Sequence, residues 1–208
     1  MNCDPTDYRI GVLGAAGVGK TSLIIQFLGR GFSQNYDPTI DDFFRGRSTI
    51  KDLQYLLELL DTSGHEVYAS LQDDRIRQSD GVVLVYDVTS RDSFESLQLL
   101  IEQVIRVKGW APFPSRLPIM IVGNKIDLQA RRVVEAREGH DLAVDNNCMF
   151  TETSAKYGKD VDKAFSDVVK VLLSLSSESS DAPSLGSSLG APLVPWTGFI
   201  DGGCCYVM

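Results

Sequence analysis

Gly14-Ala15-Ala16-Gly17-Val18-Gly19-Lys20-Thr21 is the stretch whose reading decides the fold, because it fits Gly, four residues, Gly-Lys-Ser/Thr, the pattern of a phosphate-binding loop. It stands in the setting such a loop requires. An apolar run at 10–13 predicts a strand before it, and 22–28 reads as the opening of a helix after it. Glycines keep the loop free of Cβ atoms, so successive N–H groups can turn inward at the positive end of that helix and meet phosphate oxygens. Lys20 adds a point charge toward the outer phosphates, and the Thr21 hydroxyl is placed to ligate Mg²⁺. The candidate nucleotide contacts here are Gly14, Ala15, Ala16, Gly17, Val18, Gly19, Lys20, Thr21 and Ser22.

Composition bounds what can surround this loop. The chain has 208 residues, 43% hydrophobic and 23% charged, which suits one globular domain with a real core and some extra length. A net charge of −8 argues against nucleic acid as a partner, since that needs clustered Lys and Arg, yet leaves room for a small nucleotide neutralised by Mg²⁺. Cys3, Cys148, Cys204 and Cys205 have neither the spacing of a disulfide framework nor the Cys-x-x-Cys of a zinc site, so a reducing, cytosolic compartment is expected. Residues 1–8 carry no apolar stretch or basic leader, and no run of about 18 apolar residues occurs, so neither a signal peptide nor a membrane span is expected.

Further along, 29–40 reads as a loop containing Phe32 and Tyr36-Asp37-Pro38-Thr39, with Gly and Pro content suited to bending. Residues 43–50 and 53–60 predict two strands around the polar turn Lys51-Asp52, a hairpin at a sheet edge that ends in Asp61-Thr62-Ser63-Gly64-His65-Glu66. The run 81–88 predicts a buried strand, followed by a helix over 92–107 capped by Ser90 or Asp92. A strand at 119–122 closes in Gly123-Asn124-Lys125-Ile126-Asp127, a helix is expected over 131–146 and a short strand over 148–153. The last helix, 161–173, carries Val161, Phe165, Val168 and Leu172 on one stripe. Strands alternating with helices imply a mostly parallel sheet with helices on both faces, where ligands bind at the carboxyl ends of the strands. Each polar motif follows a predicted strand, so the motifs converge on one rim.

The order of these motifs closely resembles the Ras family of small GTPases over about residues 7–173. The resemblance implies an α/β P-loop NTPase fold: a six-stranded, mostly parallel sheet with one antiparallel edge strand and helices on both faces. It places residues 1–6 in an extension, 7–173 in the GTP-binding domain and 174–208 in a hypervariable tail. Thr39 looks like the first-switch threonine, Asp61-Thr62-Ser63-Gly64 like the start of the second switch, and Asn124-Lys125-Ile126-Asp127 and Ser154-Ala155-Lys156 like the two base-recognition motifs. By the resemblance, Thr39 ligates Mg²⁺, Asp61 holds it through water, and the Gly64 N–H meets the γ-phosphate. An Asp127 carboxylate accepts from both N1–H and the exocyclic amine of guanine, a pair adenine does not offer. Asn124 and Lys125 brace the loop and stack over the base, Phe32 packs on its other side, and the Ala155 N–H donates to the guanine carbonyl. GTP and GDP are thus the expected ligands, and loss of the γ-phosphate releases both switch loops.

The implied partners are an exchange factor, a GTPase-activating protein and effectors, which meet Tyr36, Asp37, Pro38, Thr39, Ile40, Asp41 and Asp42 along an edge strand. A solvated acidic edge that prevents aggregation is the competing reading of Asp41 and Asp42. Tyr68 matches the family as an exchange-factor contact, whereas Gln72 and Arg75 differ from Ras. Residues 108–117 form a longer loop than the Ras equivalent, with Trp110 and Phe113, read either as self-packed or as a partner site. His140 is expected to face solvent, and the protein to be a monomer.

Two departures fall on hydrolysis, whose catalytic candidates are Lys20, Gly64 and His65. His65 stands where the family has a water-orienting Gln. A Gln amide accepts from the attacking water and donates to the phosphoryl group at once, whereas an imidazole carries its donor and acceptor on opposite sides of a rigid ring. Ala16 stands where Ras has a Gly, and its Cβ crowds the approach of an arginine finger, a contribution of about 10³- to 10⁵-fold. Slow hydrolysis is expected, with a non-hydrolysing GTP-bound membrane adaptor as the alternative.

From 174 onward Ser, Gly, Pro and Leu dominate, and no Lys or Arg follows Lys170. The chain ends Cys205-Tyr206-Val207-Met208, a C-a-a-X pattern whose terminal Met favours farnesyl on Cys205. One lipid holds a membrane only marginally, so palmitoylated Cys204 is the expected second anchor, with interfacial help from Trp196 and Phe199. The cytoplasmic face of the plasma membrane is the expected location.

Overall fold

The computed structural model describes residues 7–29, 42–50, 53–61, 69–109 and 117–178. Six strands and five helices alternate along them: β1 (Asp7–Leu13), α1 (Lys20–Phe27), β2 (Asp42–Ile50), β3 (Leu53–Asp61), α2 (Ala69–Gln78), β4 (Gly81–Asp87), α3 (Arg91–Lys108), β5 (Ile119–Asn124), α4 (Ala136–Asp145), β6 (Met149–Glu152) and α5 (Val161–Glu178). One sheet holds all six strands in the order β2-β3-β1-β4-β5-β6. Its four inner pairings are parallel, and β2 runs antiparallel on β3 with Ile50 opposite Leu53 and Phe43 opposite Leu60. That is the mostly parallel sheet with one antiparallel edge strand expected from the sequence.

Alternation within β4 shows why the sheet is covered twice. Val83 and Val85 face one core, with Ile10, Val12, Leu57, Leu59, Met120 and Val122, and α1 and α5 close it through Leu23, Ile24, Val161, Phe165 and Val168. Phe27 and Phe165 meet there with ring centroids 4.6 Å apart. Val82, Leu84 and Tyr86 face the other core, beneath Ile76 of α2, Leu97, Ile101 and Val104 of α3, and Ala143 of α4. Every residue of β4 is buried, so a strand without a polar face is the natural centre of a two-sided core. Each aliphatic side chain enclosed this way contributes about 1.5–3 kcal/mol.

Several boundaries differ from the sequence reading for local reasons. Ser90 caps α3, its side chain accepting from the Ser93 N–H. The helix expected over 131–146 begins only at Ala136, after a 3-10 segment at Ile126–Arg131, because the N–H groups of Val133 and Val134 both donate to the Val88 carbonyl and pin the chain to the end of β4. Helix α2 escapes sequence reading because the run 72–78 carries one apolar residue, Ile76, which is buried in the core. At the far end α5 continues to Glu178, five residues past the expected Leu173. His140 is exposed, as expected.

Candidate functional site

The carboxyl ends of β1, β3, β4 and β5 share one rim, and the loops leaving them carry the polar motifs. At the first, Gly14 adopts φ 149° and lies so close to the Val85 carbonyl that an added Cβ would sit 2.2 Å from its oxygen. Gly19 adopts φ 98°, with room for a Cβ already taken by the Asn124 amide at 2.5 Å. No side chain fits either position, which explains the glycines without reference to a ligand and leaves a backbone cradle beside Lys20. Lys20 is buried at the start of α1, and its ammonium donates to the Gly14 and Ala15 carbonyls, both at 3.0 Å. Ala16 and Gly17 are the exposed lip of the loop, and Val18 anchors it in the core.

A second group joins α1 to β3. The Thr21 hydroxyl donates to Asp61 Oδ2 at 2.5 Å, and Asp61 is fully buried. A hydroxyl and a carboxylate are the hard oxygen donors that Mg²⁺ selects, so the residues present fit that ion. Ser22 follows on the same helical turn, half-buried.

The base end is stitched by Asn124. Its Nδ2 donates to the Val18 carbonyl at 2.9 Å, while its Oδ1 accepts from the Ala155 N–H at 3.1 Å and the Thr153 hydroxyl at 3.3 Å. One 1% exposed amide therefore holds the phosphate loop, the end of β5 and the loop after β6 together. The Ala155 N–H, expected to meet a guanine carbonyl, has Asn124 as its partner in this structure. Asp127 Oδ1 accepts from the Ser154 hydroxyl at 2.6 Å, which orients the carboxylate, and Ser154 also accepts from the Tyr157 N–H. Lys156 is exposed, with its ammonium 5.2 Å from the Tyr157 ring centroid.

Lys125 has φ 69° and its ammonium reaches back across the rim, donating to the Gly17 carbonyl at 2.7 Å and pairing with Asp87 Oδ2 at 2.7 Å. Asp87 is the residue that sequence reasoning missed, absorbed into the apolar run 81–88. A lone carboxylate at the carboxyl end of a buried strand was the available signal. Burial pushes the Asp87 carboxyl up, but hydrogen bonds from Lys125 and from the Thr89 N–H and hydroxyl outweigh it and hold the pKa below the ordinary Asp value.

Phe32, Tyr36, Asp37, Pro38, Thr39, Ile40, Asp41, Gly64 and His65 lie outside the described residues, as do Tyr68, the loop centre at 110–116 and the tail with Cys204 and Cys205. Asp42 opens β2. Among the described residues, no helix is long and apolar enough to cross a membrane. The arrangement can hold a polyphosphate against backbone N–H groups, present oxygen ligands to a hard cation and offer an oriented carboxylate some way along the rim. Among known protein families, the model described as the Ras family matches residues 9–174.

Proposed function

The chain belongs to the Ras family, and from that premise we propose that it is a membrane-anchored GTP/GDP switch in signal transduction with slow hydrolysis of its own. As a small GTPase it binds GTP and GDP, generally with Mg²⁺. The observation that carries the reading is Asn124, which joins the phosphate cradle to the base loop so that one nucleotide spans both. Thr21, Thr39 and Asp61 would hold Mg²⁺, the last through water, and the ion would offset charge on the phosphate oxygens. Lys20 binds the outer phosphates, the Asp127 carboxylate selects guanine, and the Ser154 hydroxyl keeps that carboxylate in place. Effector, exchange-factor and activating-protein contacts are assigned to the switch residues, beginning with Tyr36 through Asp42 and with Tyr68.

Slow hydrolysis rests on two residues. His65 lacks the side-chain geometry to accept from water and donate to phosphate together, and Ala16 places a methyl on the exposed lip of the loop where an activating protein would insert its arginine. Anchoring rests on Cys205, with Cys204 as second acylation site, at the cytoplasmic face of the plasma membrane.

Single-turnover hydrolysis of bound GTP by the full chain, alone and with a Ras-type activating protein, tests the reading. The parent is expected to be slow and weakly accelerated, and Ala16→Gly combined with His65→Gln to restore acceleration by about 10³-fold or more. Strong acceleration of the parent refutes the steric and geometric argument. A parent that stays inert while the double variant also stays inert favours the non-hydrolysing adaptor. Labelling of Cys205 by a farnesyl analogue in cells, abolished by Cys205→Ser, tests the anchor.

A further inference from the structure

Asp87 sits at the end of β4 with its side chain 11% exposed, and neither the phosphate motif nor the base motif requires a carboxylate there. Its Oδ1 accepts from the Thr89 N–H at 2.8 Å and the Thr89 hydroxyl at 2.7 Å. These two bonds fix the plane of the carboxylate and leave Oδ2 against the Lys125 ammonium at 2.7 Å. That ammonium also donates to the Gly17 carbonyl on the lip of the phosphate loop at 2.7 Å. A lysine stem is flexible, and a single neutral carbonyl is a weak hold for it. A charge-assisted bond from a carboxylate already fixed in place selects one of the many positions the stem can reach.

Resting on the guanine-nucleotide reading above, we propose that Asp87 is a positioning residue for nucleotide retention: acting through Lys125, it locks the base loop to the phosphate loop. The bland role for the same geometry is an Asx turn that ends β4, in which Asp87 and Thr89 serve the chain reversal and Lys125 is incidental. The two roles differ in whether the effect of Asp87 depends on Lys125.

Release of mant-GDP from the full chain into excess GDP separates them, measured for the parent, Asp87→Asn, Lys125→Met and the double variant. Asn keeps the size and the Oδ1 acceptor while removing the charge. Asp87→Asn is expected to release mant-GDP about tenfold faster than the parent, the scale of one lost hydrogen bond to a charged group, and the double variant to release it no faster than Lys125→Met. Thr89→Ala, which keeps the carboxylate but removes one bond that aims it, is expected to give a smaller increase that also vanishes on the Lys125→Met background. Unchanged release in both Asp87→Asn and Thr89→Ala overturns the proposal, and so does an increase carried over in full to Lys125→Met. A parent that retains no mant-GDP refutes the underlying nucleotide reading, a result distinct from either.

Discussion

Asn124→Ala removes a buried side chain that touches both halves of the site, and the size of its effect can be worked from the bonds it breaks. The Val18 carbonyl and the Ala155 N–H lose the partners they have at 2.9 and 3.1 Å, in a place where the amide itself is 1% exposed. Each buried polar group left unpaired costs roughly 1–3 kcal/mol. The Thr153 hydroxyl, at 3.3 Å, can rotate to another acceptor and is counted as zero. The sum is about 4 kcal/mol, or about 10³-fold at 1.4 kcal/mol per tenfold. Urea denaturation of the GDP-loaded chain is expected to show a loss of that order, and mant-GDP release to quicken by about tenfold or more, since ligand binding and folding are linked by mass action. A stability loss below about 1 kcal/mol, the size of an ordinary substitution, together with unchanged release, would refute the view that this amide holds the two loops together.

Three other outcomes follow from geometry away from the nucleotide. Arg132 forks onto Glu152, NH1 to Oε1 at 2.6 Å and NH2 to Oε2 at 3.1 Å, with its side chain 7% exposed; Glu152→Ala strands that charge and is expected to cost about 3 kcal/mol in urea denaturation. Gly139→Ala ought to stabilise a helix by about 1 kcal/mol, but its Cβ would lie 2.5 Å from both the Tyr86 hydroxyl and the Phe150 ring, so differential scanning calorimetry is expected to show a lower Tm. The hydrogen bond from Arg91, then that from the Glu135 N–H, holds the Glu138 carboxyl at about 2, below its usual 4.5. A depressed folded-state pKa means stability present above the unfolded value and lost as pH falls, so acid titration of stability is expected to slope between pH 4.5 and about 2, and Arg91→Gln to flatten that slope.

Much of this was legible because the informative residues mark themselves. Glycine at 14 and 19 is dictated by backbone shape and a crowded neighbour, and the apolar run at 81–88 had to lie between two helical layers. What stayed hidden has physical causes too. In helix α2 the run 72–78 has one apolar residue, Ile76, too little to write a period. The break before α4 is made by a carbonyl at Val88, distant in sequence from Val133 and Val134. Asp87 marked itself only as a lone carboxylate at a strand end; its meaning lies in Lys125 and Thr89, and no spacing rule links a strand end to a lysine on the next strand's loop. Asn124 was expected to brace its own loop; its reach to Val18, on the first loop of the domain, is a fact of the sheet order.

That sheet order also sets a timetable for synthesis. Strand β1 is made first, yet its partners β3 and β4 are parallel strands reached only through later segments. The pieces of the rim run from Gly14 to Ala155, and at roughly 5–20 residues per second a ribosome needs on the order of 10 s to deliver the last after the first. Through that interval the glycine cradle has neither the Asn124 amide that steadies it nor the loop after β6 that Asn124 joins to it. The rim of a nascent chain is therefore incomplete until β6 has emerged, and its closing joins residues from nearly the whole domain.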